Sequence, residues 1–168
     1  MAYKEASEEA FKITGLICFD DPIREGVREA VANCIGAGVK VMMITGDHAG
    51  TARRVAVSAG INVTGVLTGG EITGMSSESL SAAVRECNVF ARISPEQKLN
   101  IVKALRENGE VIAVTGDGIN DSPALKAADI GISMGISGTD VAKEAADMIL
   151  TKDSFILIVF YAFGYMII

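Results

Sequence analysis

Two carboxylates and an amide follow a short apolar run in the second half of the chain. Asp117, Asn120 and Asp121 come shortly after the run of residues 111–114. Mg²⁺ is bound through oxygen atoms, and proteins usually supply only one or two carboxylates to this ion while phosphate oxygens supply others. The spacing therefore favours a magnesium and phosphate site at the end of a strand. A simpler alternative is that Asp121 only caps the helix that contains Pro123.

A second apolar run ends in the same Thr-Gly-Asp tripeptide that contains the first of these carboxylates. Residues 39–44 lead into Thr45, Gly46 and Asp47. Glycine permits a tight turn, which leaves a hydroxyl and a carboxylate at the end of the strand. The helix that follows offers free backbone amides and a partial positive charge, so its first turn suits a phosphate or another oxyanion. A tripeptide that merely caps a helix is the equally strong alternative for this position.

Two basic residues accompany a third apolar run, at residues 88–92. Arg92 ends this run, and Lys98 lies in the first turn of the helix that follows. Phosphoryl transfer needs positive charge near the transferred group, and a lysine at this place can supply it. Taken alone, Lys98 is more often a solvated surface residue, and His48, the only histidine, is more often incidental than catalytic.

Short apolar runs alternate with helical patterns along the whole chain. The runs have the length and composition of strands that are buried on both faces. Alternating strands and helices predict crossover connections and a mainly parallel sheet, and ligands bind such sheets at the carboxyl ends of the strands. The strongest helix start combines Ser94, Pro95 and Gln97, which form an N-cap with a capping box. The predicted strands are residues 13–19, 39–45, 65–69, 88–92, 111–115, 129–134 and 147–150, and the predicted helices are residues 23–37, 49–59, 77–87 and 95–108.

Composition argues against some classes of protein. The net charge is −6 and no basic stripe appears, which disfavours a nucleic-acid partner. The three cysteines match no zinc spacing and are typical of reduced thiols in an intracellular protein. Residues 155–168 are almost entirely apolar, yet they are too few to span a bilayer alone. This tail must be buried, cover another surface or begin a longer segment.

Five motifs, in order along the chain, closely resemble the phosphorylation domain of P-type cation-transporting ATPases, a branch of the haloacid-dehalogenase-like superfamily. The resemblance covers residues 13–159, and it is strongest toward the calcium-transporting and sodium/proton-pumping group. It implies a Rossmann-like α/β fold with a mainly parallel sheet flanked by helices. The motifs are DPIRE (21–25), MITGDHAGTA (43–52), VFARISPEQK (89–98), TGDGINDSPALKAADIGISMG (115–135) and SGTDVAKEAADMIL (137–150).

The resemblance implies a role for each residue of the first cluster. Asp117 would be a ligand of the catalytic Mg²⁺, and Asp121 would lie beside it in the metal site and orient the site or its waters. Asn120 would contact a phosphate oxygen, and Lys98 would neutralise phosphate charge. These roles agree with phosphoryl transfer in general, because enzymes of this class mainly position groups and stabilise charge.

The resemblance also implies a nucleotide side of the site. Thr45 and Gly46 would hydrogen-bond the transferring phosphoryl group, and Asp47 would lie near the nucleotide and its metal. Arg92 and Arg24 would face the nucleotide, which is ATP in this family. The expected cofactors are therefore Mg²⁺, and ATP as the substrate of the full-length enzyme.

The covalent acceptor of the family, an aspartate in the motif Asp-Lys-Thr-Gly-Thr, is not found in these 168 residues. We therefore expect residues 1–154 to be the portion of the phosphorylation domain that follows the nucleotide-binding insertion, with an apolar tail at 155–168. Its expected partners are the nucleotide-binding, actuator and membrane domains of a pump, of which it would be a cytoplasmic part. By itself the chain is expected neither to form an aspartyl-phosphate nor to pump ions. Two alternatives remain, a soluble module that binds magnesium and phosphate or regulates a pump, and a stand-alone phosphatase.

The missing acceptor motif has a structural consequence. In the family it ends a central strand between the strand that leads to Asp47 and the strand that leads to Asp117. Its absence predicts two unpaired inner edges with a slot between them. Residues 155–163 are β-branched and aromatic enough to form a strand, so the tail is a candidate to fill the slot, from the same chain or by self-association with a neighbour. A helical or disordered tail is the alternative.

Overall fold

The structure is a computed structural model, and it describes residues 2–3, 10, 12–17 and 22–153 of the 168-residue chain. Within these residues, strands and helices alternate as the sequence predicts. The strands are β1 (Ala2–Tyr3), β2 (Lys12–Ile13), β3 (Met43–Ile44), β4 (Val66–Thr68), β5 (Val89–Ala91), β6 (Ala113–Gly116), β7 (Ile130–Met134) and β8 (Met148–Leu150). The helices are α1 (Val27–Gly36), α2 (Ala49–Ser58), α3 (Gly69–Ile72), α4 (Ser77–Glu86), α5 (Pro95–Glu107), α6 (Ser122–Ala127) and α7 (Asp140–Ala145), with a 3-10 turn at Ile119–Asp121.

The strands from β3 to β8 form two parallel sheets of three strands each. The first sheet has the order β3-β5-β4, so β5 is its central strand, and the second has the order β6-β7-β8. Every pair within these two sheets is parallel, whereas β1 and β2 form a separate antiparallel pair. The prediction of a mainly parallel α/β fold is therefore confirmed.

Strand β5 shows how the first sheet is buried on both of its faces. Successive side chains of a strand point to opposite faces. Val89 and Ala91 pack into one apolar cluster with residues of α1 and α2, while Phe90 packs into a second cluster with residues of α4 and α5. All three side chains are fully buried. Helices therefore cover both faces of this sheet and fix the position of its carboxyl edge.

Helix α5 connects the two sheets. Ile101 of α5 belongs to an apolar cluster on which Ile44 of β3 packs, and Ile112, just before β6, packs on the same cluster. Further along α5, Arg106 forms an ion pair with Asp129 beside the start of β7, with an N···O distance of 3.3 Å. No hydrogen bonds pair β3 with β6 in the described part of the chain. Both are edge strands against one helix, as the absence of a central acceptor strand predicts.

The prediction of a strand over residues 13–19 is wrong for most of its length. Strand β2 overlaps this run only at Ile13, and it pairs antiparallel with β1. Residues 14–17 have no regular structure, and the side chain of Leu16 is 88% exposed. The apolar run indicates burial, but the side chains of Ile13, Leu16 and Ile17 are all exposed. Residues 18–21 lie outside the described residues.

The predicted strand over residues 39–45 is also largely wrong, because β3 covers only Met43–Ile44. The remaining predicted elements differ from the structure at their ends. Helix α1 begins at Val27 rather than at residue 23, because Gly26 has a φ of 78°, which lies outside the helical region. Helices α3 and α7 are not predicted, since four and six residues are too few to show a helical repeat. The tail of residues 155–168, and the strand predicted within it, lie outside the described residues. A search of the described helices finds none with the length and apolar character needed to cross a membrane.

Candidate functional site

The carboxyl ends of β3 and β5 are joined by backbone hydrogen bonds. The Arg92 N–H donates to the Asp47 carbonyl oxygen at 2.9 Å, and the Ile93 N–H donates to the Thr45 carbonyl oxygen at 3.0 Å. The Thr45 hydroxyl oxygen accepts from the Asp47 N–H at 3.1 Å, which closes the turn after β3. The Asp47 side chain is exposed and has no partner among the residues that the structure describes. This turn therefore presents an open carboxylate at the rim of the first sheet.

Arg92 has a backbone conformation that is rare for a residue with a side chain. Its φ is 53°, the only positive value among the described non-glycine residues. This left-handed region costs an ordinary residue about 1–2 kcal/mol. The Arg92 carbonyl group lies against Gly69, where an added Cβ would approach the oxygen to 2.2 Å. The conformation turns the chain out of β5 toward α5 and leaves the arginine exposed just after the strand.

Lys98 and Asp121 form an ion pair between α5 and the loop after β6. Lys98 lies in the first turn of α5, which begins as predicted with Ser94 as N-cap and with Gln97 completing the capping box. One oxygen of Asp121, Oδ1, accepts from the Lys98 ammonium group. The two side chains are 20% and 13% exposed, so solvent and salt screen this pair less than a surface pair. The pair therefore fixes the start of α5 against the loop that carries Asp117.

The second oxygen of Asp121 holds the backbone of the same loop. Oδ2 accepts from the Asp117 N–H at 3.2 Å and from the Gly118 N–H at 3.1 Å. Gly116 makes room for this carboxylate, because an added Cβ there would lie 2.5 Å from the Asp121 Cβ. Each carboxylate oxygen has about two acceptor sites, so Oδ2 is fully used and Oδ1 keeps about one lone pair beside Lys98. Most of the hydrogen-bonding capacity of Asp121 is spent inside the protein.

Asp117 is held through its backbone, and its side chain is left open. Its N–H donates to Asp121, and its carbonyl oxygen accepts from the Thr139 N–H at 2.8 Å. Its side chain is exposed and has no hydrogen-bond or ion-pair partner within the described ranges. A carboxylate on a fixed backbone, with its oxygens free, is suited to bind a cation from solvent.

The loop between β7 and α7, which carries Thr139, is held in turn by Asp153. The Oδ1 of Asp153 accepts from the Ile136 N–H at 2.9 Å, and Oδ2 accepts from the Ser137 N–H at 2.7 Å. These bonds lower the pKa of the Asp153 carboxyl group below its ordinary value, the Ile136 bond most strongly, and the charge of Arg24 lowers it further. Among the described residues, Arg24 forms no hydrogen bond or ion pair with the predicted phosphate-binding residues.

A series of contacts connects the two Thr-Gly-Asp turns through Arg92 and Lys98. Asp47 accepts from Arg92, which leads through the N-cap into α5, and Lys98 of α5 pairs with Asp121, which holds Asp117. Parallel strands end on the same side of a sheet, so the turns at Asp47 and Arg92 lie at one edge of the first sheet, and the Lys98–Asp121 pair holds the loop of Asp117 against the start of α5. The structure thus brings the predicted residues of both Thr-Gly-Asp turns together around the start of α5.

Asn120, which is predicted to contact a phosphate oxygen, and His48, which has no predicted chemical role, have different surroundings. Asn120 is exposed in the 3-10 turn, and its side chain has no hydrogen bond to any described residue. His48 caps α2, since its Nδ1 accepts from the Gly50 N–H at 3.2 Å, which makes it a structural residue. Thr139 and Asp153 contact the site loops but have no predicted role. The N-cap position of Thr139 is a readable signal, whereas nothing marks Asp153, whose partners lie 16 and 17 residues earlier.

The donors at this rim fit a metal ion that takes few protein ligands. Within the described residues, no group of three or more histidine, cysteine, aspartate or glutamate side chains is arranged to hold a metal. Mg²⁺ usually keeps several waters and uses one or two carboxylates together with phosphate oxygens. The open carboxylate of Asp117, with the remaining lone pair of Asp121 nearby, matches that requirement.

A groove of about 500 Å³ is lined by residues of α3, α4 and α5, and it reaches the first turn of α5 at Gln97. Its lining includes the polar residues Ser76, Gln97, Asn100 and Lys103, and none of the predicted site residues contributes to it. The predicted residues lie instead on an exposed rim, where Asp47, Arg92, Asp117 and Asn120 all face solvent. Any ligand of this rim would therefore be bound at an open surface.

A profile of one protein family matches most of the chain. The family is described as "Hydrolase: haloacid dehalogenase-like hydrolase", and the match covers residues 2–129. That range includes both Thr-Gly-Asp tripeptides, Lys98 and Asp121.

Curated proteins of similar sequence are named as cation pumps. The chain is 51% identical over 149 residues to the probable cation-transporting ATPase F of Mycobacterium tuberculosis, and the match covers 85% of this chain and 16% of that protein. It is 48% identical over 153 residues to a calcium-transporting ATPase of Bacillus subtilis, and here the match covers 90% of this chain and 17% of that protein. The chain therefore spans about a sixth of the length of these relatives.

Two solved structures of ATPases have a similar fold. The catalytic domain of the CPx-ATPase CopB-B aligns with a TM-score of 0.62 at 24% identity, covering 81% of this chain and 44% of that one, which is a likeness of fold alone. A zinc-transporting PIB-type ATPase in its E2.Pi state aligns with a TM-score of 0.60 at 35% identity, covering 79% of this chain and 17% of that one.

Proposed function

Since this chain belongs to the haloacid dehalogenase-like hydrolase family, we propose that it is a working part of the phosphorylation domain of an ATP-driven cation pump. It matches the phosphorylation-domain region of P-type cation-transporting ATPases. The observation that carries the proposal is the series of contacts that joins the loops of Asp47, Lys98 and Asp117 at one rim. Loops arranged in this way can act together on one small anion and its metal, which is what phosphoryl transfer requires.

The loop after β6, which carries Asp117 and Asp121, supplies the metal side of the proposed site. Asp117 binds Mg²⁺ through its open carboxylate, and the ion, when bound, supplies positive charge beside the phosphate. Asp121 serves mainly to position Asp117 and Lys98, because most of its acceptor sites are already used. The Lys98 ammonium group has three donors, so it can pair with Asp121 and still donate to a phosphate oxygen. Asn120, which is exposed in the same loop, would donate to another phosphate oxygen.

The turn after β3, which carries Thr45, Gly46 and Asp47, supplies the phosphate and nucleotide side of the proposed site. The Thr45 hydroxyl accepts from a backbone amide, so its own proton remains free to be donated to a phosphoryl oxygen. Gly46 leaves open space, since an added Cβ would meet no atom within 4 Å, and a ligand can approach the backbone there. Asp47 and Arg92 face solvent at the place where the nucleotide, ATP in the whole protein, would lie. Arg24 is the least well supported member of this set because it lies near a different carboxylate.

Calorimetric titration of the 168-residue chain with Mg²⁺, with and without inorganic phosphate, tests this site. We expect weak binding that phosphate strengthens, and at least about a tenfold loss of Mg²⁺ affinity in Asp117→Asn. Glu110→Gln is the matched control, because it removes an exposed carboxylate just before the other end of β6. Equal Mg²⁺ affinity in the parent chain and in Asp117→Asn would refute the assignment.

The whole protein is proposed to contain nucleotide-binding, actuator and membrane domains, with this part on the cytoplasmic side. Assay with a generic phosphate ester separates this proposal from a stand-alone phosphatase. We expect no turnover, since these 168 residues contain no Asp-Lys-Thr-Gly-Thr acceptor. Mg²⁺-dependent turnover that Asp117→Asn abolishes would instead favour the phosphatase.

A separate proposal concerns the apolar tail. Among the described residues, β3 and β6 each have one edge that no other strand pairs with, and we propose that residues 155–163, which lie outside the described residues, pair with these edges, within one chain or between two copies. Hydrogen exchange of the β3 and β6 amides in the full chain, compared with Ile158→Asp, tests it. Faster exchange of these amides in the variant is expected, and unchanged exchange would remove the tail from the slot.

A further inference from the structure

We infer that Asp153 is a positioning residue of the magnesium site and acts on Asp117 through the loop of residues 135–139. The inference rests on the proposed function, because it takes Asp117 to be the residue that binds Mg²⁺. The path contains three hydrogen bonds. The Asp153 carboxylate binds the amides of Ile136 and Ser137, and two residues later the same loop donates from its backbone to the Asp117 carbonyl oxygen.

The loop is packed so closely that a shift at one end must move the other. An added Cβ at Gly135 would lie 2.0 Å from the Leu150 carbonyl oxygen, and one at Gly138 would lie 2.0 Å from the Met134 carbonyl oxygen. At both glycines, backbone therefore contacts backbone with no side chain between them. Closely packed groups of this kind have little room to relax separately. The anchoring bonds from Asp153 thus set where the Thr139 N–H points.

Asp117 depends on that N–H because its backbone is held from two sides. Asp121 accepts from its N–H, and Thr139 donates to its carbonyl oxygen. Without the Thr139 hydrogen bond, the peptide group that contains the Asp117 carbonyl would be free to rotate. The Asp117 carboxylate would then move with the backbone. Mg²⁺ requires nearly ideal octahedral geometry, so a displaced ligand binds it less well.

Two similar carboxylates show what is particular about Asp153. Asp129 accepts from the Ile112 N–H at 2.9 Å, and Asp147 accepts from the Gly131 N–H at 2.8 Å. Both bonds tie strands together at the amino ends of β6 and β7, away from the rim. Asp153 makes the same kind of bond, but at the carboxyl end of the sheet, beside the site loop. Asp147→Ala is therefore a matched control that removes a carboxylate–amide bond without reaching the site.

The first experiment compares Mg²⁺ affinity and amide exchange in three variants of the full chain. We expect Asp153→Ala to raise the Kd for Mg²⁺ about tenfold, as is common when residues that support a metal ligand are lost. Asp153→Asn keeps one acceptor oxygen and should have a smaller effect. In both variants the Thr139 amide should exchange faster. Asp147→Ala should lower the urea midpoint but leave the Kd and the Thr139 exchange rate unchanged.

The second experiment removes the Thr139 N–H directly. Thr139 has a φ of −67°, which proline can adopt, and proline has no N–H to donate. Thr139→Pro should raise the Kd about as much as Asp153→Ala. Ser76→Pro, at the N-cap of α4 with a φ of −72°, is the matched control and should leave the Kd unchanged. The Kd for Mg²⁺ of the double variant Asp153→Ala/Thr139→Pro should not exceed the larger of the two single-variant Kd values, because both changes break the same path.

The outcomes separate this inference from the proposed function. The inference would be overturned if the two fold-increases in the Kd for Mg²⁺ multiplied in the double variant. It would also be overturned if the Thr139 amide of Asp153→Ala exchanged at the same rate as in the parent chain. If the parent chain binds no Mg²⁺, the proposed function fails on its own. The Thr139 exchange rates in Asp153→Ala and Asp147→Ala then still decide whether Asp153 sets the position of the loop.

Discussion

The two Thr-Gly-Asp turns have the same sequence and follow parallel strands, yet their glycines serve different purposes. At Gly46 an added Cβ would meet no atom within 4 Å, whereas at Gly116 it would lie 2.5 Å from the Asp121 Cβ. The first turn is closed locally by the Thr45 hydroxyl, and the second by a carboxylate four residues beyond Asp117. One turn is open to solvent, and the other is filled by the protein itself.

This difference teaches that a repeated tripeptide need not have a repeated role. The open turn leaves its backbone and its carboxylate accessible, which suits contact with a ligand that comes and goes. The filled turn fixes the backbone of Asp117 and leaves only the side chain free, which suits a metal ligand. The residue that separates the two cases is Asp121, and the first turn has no equivalent, since His48 caps the helix directly after Asp47. The comparison can be tested by changing matching positions in the two turns.

The largest difference is expected between Asp121→Ala and Asp47→Ala. Loss of Asp121 leaves the Lys98 ammonium group and two loop amides without partners, which we expect to lower the free energy of unfolding by about 3 kcal/mol. Asp47 has an exposed carboxylate with no described partner, so its loss should change stability by less than about 0.5 kcal/mol. Urea unfolding of both variants provides the measurement. Similar losses in the two would show that the turns are equally dependent on their carboxylates.

The glycines should differ by somewhat less. Gly116→Ala forces a Cβ against a side chain that three hydrogen bonds hold in place, and overpacking of this kind costs about 2 kcal/mol. Gly46→Ala adds a methyl group to open space and should change stability by less than about 0.5 kcal/mol. Thermal unfolding of the two variants measures this contrast. A destabilised Gly46→Ala protein would contradict the open geometry of the first turn.

The smallest effects concern acidification of the carboxylates that follow β4 and β8. The pKa of Glu71 is lowered mainly by its hydrogen bond from the Thr68 hydroxyl, and the pKa of Asp153 mainly by the Ile136 amide. A lowered folded pKa means that the unfolded chain binds more protons in the window between the two values. The stabilisation from each group is therefore present at neutral pH and is lost as the pH falls through that window.

Urea midpoints measured between about pH 6 and pH 3 test this sign. Glu71→Gln and Asp153→Asn should each reduce the slope of stability against pH. The two effects on the slope should add in the double variant, because Glu71 follows β4 of the first sheet and Asp153 follows β8 of the second. A slope that neither variant changes would show that these bonds do not differ between the folded and unfolded chains.

Much of the scaffold could be predicted from local sequence. The apolar runs before Asp47 and Asp117 locate β3 and β6. The capping signals at Ser94 and Gln97 locate the start of α5, and with it Lys98 in the first turn. These predictions succeed because each depends on residues a few positions apart. The chemical roles of the rim residues stay predictions until the titrations are made.

The parts that could not be predicted depend on partners far away in the sequence. Asp121 pairs with Lys98, 23 residues earlier, and no local pattern distinguishes this pair from a simple helix cap. Asp153 reaches back 16 and 17 residues to the loop that it anchors. The run of residues 13–19 has the composition of a buried strand, but the position of a surface that could cover it is a tertiary property. Long-range pairing is the information that apolar periodicity lacks.

The position of helix α5 has a consequence for how this domain unfolds. It packs on the first sheet through Ile101 and reaches the second through the ion pairs of Lys98 and Arg106. Two small sheets that share no strand pairing within the described residues are thereby coupled through one helix. Cooperativity is then a property of that helix, and weakening its polar contacts should let strands β6 to β8 open before the first sheet does.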